Sequence, residues 1–201
     1  ITDHSRSAFY ANGLTAERVL QQHKEIDELN KSFAPFKIFK GIESDILNDG
    51  NLDYEEDILK QFDFVIASVH SVLKMDIEKA TNRLIRAIEN PYTTMLGHMT
   101  GRLLLSREGY PLHTQKIIDA CATNNVIIEL NANPYRLDID WRLIISCMEK
   151  GVQISINPDA HSIAGLDDVK YGIYVAQKGL LTKEMCFNAK ALSEIETAFN
   201  K

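Results

Sequence analysis

Asp63-Phe64-Val65-Ile66-Ala67-Ser68-Val69-His70, residues 63–70, is the stretch whose reading decides the fold. Its Phe64-Val65-Ile66 run lacks polar alternation, which suits a strand covered on both faces, as in a parallel sheet flanked by helices. His70 falls just past the strand's end. Upstream, Val19, Leu20, Ile26, Leu29 and Phe33 recur at helical spacing between the N-cap Thr15 and the stop at Pro35. Residues 36–42 alternate apolar and polar and predict a strand ending at Glu43. The Asn48-Asp49-Gly50-Asn51 turn and a short helix over 54–61 then lead back to the strand at 63–68. Downstream, the pattern predicts helices over 76–89, 112–123, 141–150, 166–177 and 193–199, with strands over 93–96, 126–130 and 152–156. The opening Ile1-Thr2-Asp3-His4, with no initiator Met and no polar lead-in, reads as a chain cut inside a strand. Strand, loop and helix in repeated alternation make an α/β fold, a parallel sheet with covering helices, either open or closed into a barrel. No linker or repeat divides it, so residues 1–201 read as one domain.

Composition narrows the chemistry. The chain has 201 residues, 45% hydrophobic and 25% charged, an ordinary globular balance. With 28 acidic and 22 basic residues the net charge is −6, so bulk attraction to nucleic acid or anionic lipid is not expected and any polyanion must be held locally. Cys121, Cys147 and Cys186 are far apart, with no Cys-x-x-Cys, which points to reduced thiols and a cytoplasmic setting. The longest uncharged apolar stretch falls far short of the roughly 20 residues a membrane span needs, and no membrane partner is expected.

In parallel α/β folds, functional groups gather in the loops at the strands' C-terminal ends. Those positions hold Asp3 and His4, Glu43, His70, His98, Glu129 with Asn131, and Asp159 with His161. Imidazole and carboxylate together suit Zn, Mn or Fe, whereas Mg or Ca favours oxygen ligands alone. Asp3-His4 and Asp159-Ala160-His161 each set a carboxylate beside an imidazole, as a ligand pair or as a carboxylate that orients the ring. His23, mid-helix among polar neighbours, and His113, at a helix start, read as surface residues and are excluded as ligands.

The motifs Thr2-Asp3-His4-Ser5-Arg6-Ser7, Gly41-Ile42-Glu43, Ser68-Val69-His70, Gly97-His98-Met99-Thr100-Gly101-Arg102, Glu129-Leu130-Asn131-Ala132-Asn133-Pro134 and Asn157-Pro158-Asp159-Ala160-His161-Ser162 resemble the polymerase-and-histidinol-phosphatase (PHP) superfamily. Within it the chain is similar to the C-terminal PHP domain of bacterial family X DNA polymerases, over essentially its whole length. The resemblance implies a distorted seven-stranded TIM-like (β/α) barrel whose mouth holds up to three divalent ions, Mn or Zn with Fe as an alternative, and hydrolyses phosphoesters. In the polymerase subgroup it implies a manganese-dependent 3′–5′ exonuclease that processes DNA 3′ ends in repair. Carried over, Glu43 bridges two metals; Glu43, His70 and His98 hold one; His4 and His161 hold another; Asp159 joins the metal that Glu43 shares; and Asp3 holds His4. Glu43, His70 and Asp159 then carry the catalytic role. Arg102 and Arg136, next to strand-end loops, suit either bidentate contacts with substrate phosphates or surface ion pairs, with Arg136 the better placed, and Asn133 can contact substrate. Asn131 and Asn133 can equally serve the turn before Pro134.

The family's first motif, a strand ending in His-x-His with an Asp a few residues on, would precede Ile1. Without it at least one strand is expected to be missing, only the Glu43, His70 and His98 set stays whole, fewer metals bind, and hydrolysis is impaired. The open sheet edges then invite self-association. Two other readings stand beside the exonuclease: a free-standing phosphatase acting on a small phosphomonoester such as histidinol phosphate, and a catalytically inactive structural module of the polymerase.

Overall fold

The computed structural model describes residues 1–200. Its strands are β1 (Thr2–His4), β2 (Gly41–Asp45), β3 (Phe64–Ser68), β4 (Met95–Leu96), β5 (Ile127–Asn131) and β6 (Ile154–Asn157). They form one 6-stranded sheet in sequence order, and each ladder between neighbours is parallel. The main connecting helices are α1 (Ala16–Phe33), α2 (Glu56–Leu59), α3 (Ile77–Ile88), α4 (Thr114–Asn124), α5 (Ile144–Glu149) and α6 (Val169–Lys178), and α7 (Leu192–Phe199) ends the chain. Among the described residues no helix is long and apolar enough to cross a membrane.

Side chains alternate across a strand, and the alternation here makes two unlike faces. Ile42, Val65, Ala67, Leu96, Ile128 and Leu130 pack outward into a core with Val19, Leu84, Ile88, Ile117, Ile118 and Ile144 from the helices. On the inner face, Ile66, Met95 and Ile127 are register partners across β3, β4 and β5, and they pack with Phe187, Ile195 and Phe199. Phe199 stacks on Phe64 at 4.7 Å and meets Phe39 edge-on at 5.1 Å, so α7 plugs the N-terminal end of the sheet with apolar matter. One step along the same face toward the C-terminal end, the apolar residues give way to Glu43, Asp45, Ser68, Glu129 and Asn131, all buried.

The sheet is strongly curled. Six flat strands would hold β1 and β6 roughly 24 Å apart at the usual spacing, yet the rings of His4, on β1, and His161, just after β6, have centroids 5.8 Å apart. β1 and β6 do not pair with each other among the described residues, so the sheet is a curled half-barrel rather than a closed one.

The strand expected over residues 36–42 is displaced: β2 begins at Gly41 and runs past Glu43 to Asp45. Residues 36–40 join no strand and spend polar groups elsewhere. Asn30 bonds both the amide and the carbonyl of Ile38, and the Lys40 amide donates to Asp63 Oδ2 at 2.7 Å. The helices expected at 76–89 and 112–123 are α3 and α4, and Asp76 caps α3 by accepting from the Lys79 amide at 2.8 Å.

Arg83 of α3 is buried and, among the described residues, faces no carboxylate within salt-bridge distance. Its guanidinium donates to the carbonyls of Leu47 (2.8 Å), Ser71 (3.0 Å), Val72 (3.4 Å) and Ile46. One side chain thus ties the loop after β2 to the loop after β3.

Candidate metal centre

Glu43 sits where the inner face turns from apolar to polar. Its Oε1 lies 3.0 Å from His98 Nε2 and 3.2 Å from His70 Nε2, and its Oε2 lies 3.3 Å from His4 Nδ1. The two facing nitrogens of His70 and His98 are 3.2 Å apart. β1, β2 and the loops after β3 and β4 therefore deliver three imidazoles and one carboxylate to a single point. Burial alone would raise the Glu43 carboxyl, but hydrogen bonding with His70 and His98 outweighs it and holds the group well below its ordinary value.

The donor set fits a divalent cation on chemical grounds. His70 Nδ1 is 2.5 Å from Asp45 Oδ1, so its proton is committed there and Nε2 of the neutral ring presents a lone pair to the Glu43 carboxylate. A lone pair facing a carboxylate at 3.2 Å is repulsive unless a proton or a cation lies between them. With a proton there, His70 is an imidazolium: desolvation opposes this, but Asp45 and Glu43 push its pKa up to about 9. With a metal there, the carboxylate–imidazole–cation arrangement is the one that fixes ring orientation and ligand basicity at metal sites. His4, Glu43 and His70 alone offer three ligand atoms lying within 4.8 Å of one another.

A second group of residues completes the mouth. Asp159 Oδ2 accepts from Asn131 Nδ2 at 3.1 Å and pairs with Arg136 Nε at 3.3 Å. His161 is exposed, with Nδ1 2.9 Å from the carbonyl oxygen of Asp159 and 3.6 Å from its Oδ1. Asp159 and Glu43 line one cavity of about 830 Å³ that runs down the inner face toward Phe199. Glu129, buried beside the same cavity, accepts from the His98 amide (2.7 Å), Asn157 (2.9 Å) and Asn131 (3.2 Å). Burial pushes its carboxyl up to about 7. It braces the loops that carry His98 and Asp159.

Several residues stand where the sequence does not put them. Asp3 does not hold His4: neighbours on a strand point to opposite faces, and its carboxylate accepts from Gln22 of α1 instead, at 2.5 Å. Arg102 is spent inside the fold, donating to the carbonyls of Arg136 (2.9 Å) and Leu137 and pairing with Asp140 at 3.4 Å. Asn133 folds back to accept from the Tyr135 amide at 3.0 Å, the turn role. Arg136 stays at the mouth, and its buried Nη1 has no hydrogen-bond partner among the described residues. His23 is buried rather than superficial, because it shares the inward stripe of α1 with Val19 and Ile26 and meets Phe62 edge-on at 4.9 Å. His113 is partly exposed and pairs with Glu78 at 2.7 Å.

Asp45 is the residue the sequence reading misses. The signal was present, since Glu43-Ser44-Asp45 puts two carboxylates on one face of a strand, but a strand ended at Glu43 hides it. Asp45 also accepts from Ser7 Oγ at 2.7 Å. Asp45→Asn is expected to weaken divalent-metal affinity about 10–100-fold, the usual cost of losing a carboxylate behind a ligating imidazole. Isothermal titration with Mn²⁺ or Zn²⁺ measures this, and unchanged affinity would mean that His70 needs no such support.

No protein-family model matches the chain. It is 45% identical over 196 residues to "DNA polymerase/3'-5' exonuclease PolX" of Bacillus subtilis, a match covering 98% of this chain and 34% of that protein. It is 31% identical over 162 residues to the probable phosphatase Teth514_1060 of Thermoanaerobacter sp., covering 76% of this chain and 64% of the relative. The chain thus spans about a third of the polymerase and just under two thirds of the phosphatase. Among solved structures, histidinol phosphate phosphatase of Lactococcus lactis, crystallised with zinc, L-histidinol and phosphate, superposes with a TM-score of 0.54 at 17% identity, over 80% of this chain and 74% of that one. A parallel half-barrel with Glu43 among the imidazoles, together with these relatives, identifies the chain as a member of the PHP superfamily, similar to the PHP domain of family X DNA polymerases.

Proposed function

We propose that this domain is a divalent-metal-dependent phosphoesterase that removes nucleotides from DNA 3′ ends, with Mn or Zn as its metal. The observation that carries the reading is the division of labour in Glu43: one oxygen faces His70 and His98, the other faces His4. A carboxylate so placed suits two neighbouring ions. Ions bound there would lower the pKa of a coordinated water and neutralise charge on the phosphoryl oxygens.

The chain's own residues do the positioning. Asp45 holds the His70 ring, Glu129 holds the His98 backbone, and Asn131 with Arg136 aims the Asp159 carboxylate. Arg136 has a donor to spare at Nη1, and a guanidinium beside a metal cluster is suited to a phosphate oxygen. The polymer substrate is favoured by the 45% identity to a polymerase/exonuclease along 98% of the chain. The probable phosphatases among the relatives support a second reading, in which the substrate is a small phosphomonoester such as histidinol phosphate.

The test compares two reactions of the purified chain at fixed Mn²⁺: shortening of a 5′-labelled single-stranded oligodeoxynucleotide, and phosphate release from histidinol phosphate. Mn²⁺-dependent shortening that exceeds phosphate release and stops with chelator is expected. Phosphate release with an intact oligonucleotide would install the phosphatase reading, and inertness toward both would leave a structural module.

A further inference from the structure

Large apolar side chains stand almost bare at the end of the sheet that carries the imidazoles. Phe9 (89% exposed) and Tyr10 (71%) follow β1, Leu105 follows β4, Tyr135 (68%) follows β5 and Ile163 (89%) follows β6. Exposed apolar residues scattered singly need no explanation, but a set drawn from four loops around one mouth does.

The aromatic members adjoin the centre. The Tyr10 ring centroid is 5.9 Å from that of His4 and 6.3 Å from that of His70. Tyr135 is the chain neighbour of Arg136, which holds Asp159 and keeps an unpartnered buried Nη1. Their backbones are fixed rather than loose. Asn12, in the left-handed region at φ 53°, closes the Phe9–Ala11 turn by donating to the Phe9 carbonyl. The Leu104 amide donates to the Tyr135 carbonyl at 2.6 Å, joining the loops after β4 and β5. Rings presented by ordered backbone lose little entropy on engaging a ligand.

The chemistry of the rim separates its partners. A protein docked over these rings would also bury the charged and polar groups among them, His4, Asp159, His161 and Arg136, and leave them without water. A single strand of nucleic acid would not, because its phosphates face the centre while its bases lie against aromatic faces, which accept any base without hydrogen-bond readout. In the same loops Arg6 pairs with Asp53 at 3.4 Å and Arg136 with Asp159 at 3.3 Å, and Arg136 keeps its Nη1 donor for a phosphate oxygen.

We propose that Phe9, Tyr10 and Tyr135 form a stacking platform for the last bases of a single-stranded nucleic acid, so that the rim selects a polymer end over a small phosphoester. This rests on the phosphoesterase reading above and adds to it the residues that determine specificity. Base stacking on one aromatic ring accounts for roughly five- to a hundred-fold in affinity.

The test is fluorescence anisotropy of a labelled oligothymidylate with the purified chain in chelator, so that no cleavage runs. Tyr10→Ala and Tyr135→Ala are each expected to raise Kd about ten-fold, Phe9→Ala to do likewise, and Tyr10→Phe and Tyr135→Phe to keep parental affinity. Where the oligonucleotide is also cleaved in Mn²⁺, the ratio of kcat/KM for it to that for bis(p-nitrophenyl) phosphate should fall by the same factor in the alanine variants. Parental affinity in all three alanine variants would overturn the platform and leave the rim to a protein partner. An oligonucleotide that the parent chain does not bind would overturn it as well. Turnover of the small ester by the parent reports separately on the phosphoesterase reading, so the two can fail independently.

Discussion

Glu43→Gln is expected to strip the purified protein of divalent metal and to lower metal-dependent hydrolysis by at least about 10²–10³-fold, the loss typical of removing one preorganised charge partner from a reacting centre. Gln keeps the shape of Glu and can still accept one hydrogen bond, but it brings no charge to the point where His4, His70 and His98 converge. The three imidazoles would then face one another with no negative charge among them to balance an ion. Emission spectroscopy on the purified variant gives the metal content, and the same preparation gives the rate. A Glu43→Gln variant that holds as much metal as the parent would show that the imidazoles suffice and that Glu43 is not the bridge.

Arg83→Met is expected to lower stability by about 3 kcal/mol, because it removes a buried charged donor from the Ile46 carbonyl, inside the fold, and from the half-buried bonds to the Leu47 and Ser71 carbonyls. For a domain of this size that corresponds to a fall of about 6–12 °C in Tm. Metal affinity should drop with it, since Arg83 joins the loop that follows Asp45 to the loop that carries His70. Arg83→Lys should recover only part of the loss, because one ammonium cannot reach carbonyls that a forked guanidinium spans. Thermal melts followed by circular dichroism decide the matter, and a shift under about 2 °C for Met would count against the role given to this side chain.

The alternation of strands and helices was legible in the sequence because parallel strands buried on both faces announce themselves as apolar runs, as Phe64-Val65-Ile66 does. The strand-end rule brought His4, Glu43, His70, His98 and Asp159 into view for a like reason: topology alone sends those positions to one mouth. What it did not supply was direction. Asp3 and His4 are adjacent in sequence yet point to opposite faces. Arg102 lies in a mouth loop but spends its donors on carbonyls of the next loop. Asp45 was hidden by a strand boundary drawn at Glu43 instead of at Asp45 itself. For Arg102 the deciding fact is a tertiary contact, which local pattern does not encode, whereas Asp3 and Asp45 turn on strand alternation and on where the strand ends.

The curl of the sheet also bears on how the domain comes into being. Every ladder joins strands consecutive in the chain, so pairing can proceed by successive addition, each strand docking on the one just formed. The mouth obeys a different order. His4 comes from the first strand and Asp159 and His161 from beyond the last, so during synthesis from the N-terminus the mouth closes only after β6 has emerged and the sheet has bent. An ion bound by both ends would favour the bent sheet over any partly assembled one, by mass action. Capture of metal would then report that β6 has joined the sheet, and a nascent domain short of β6 would stay unloaded.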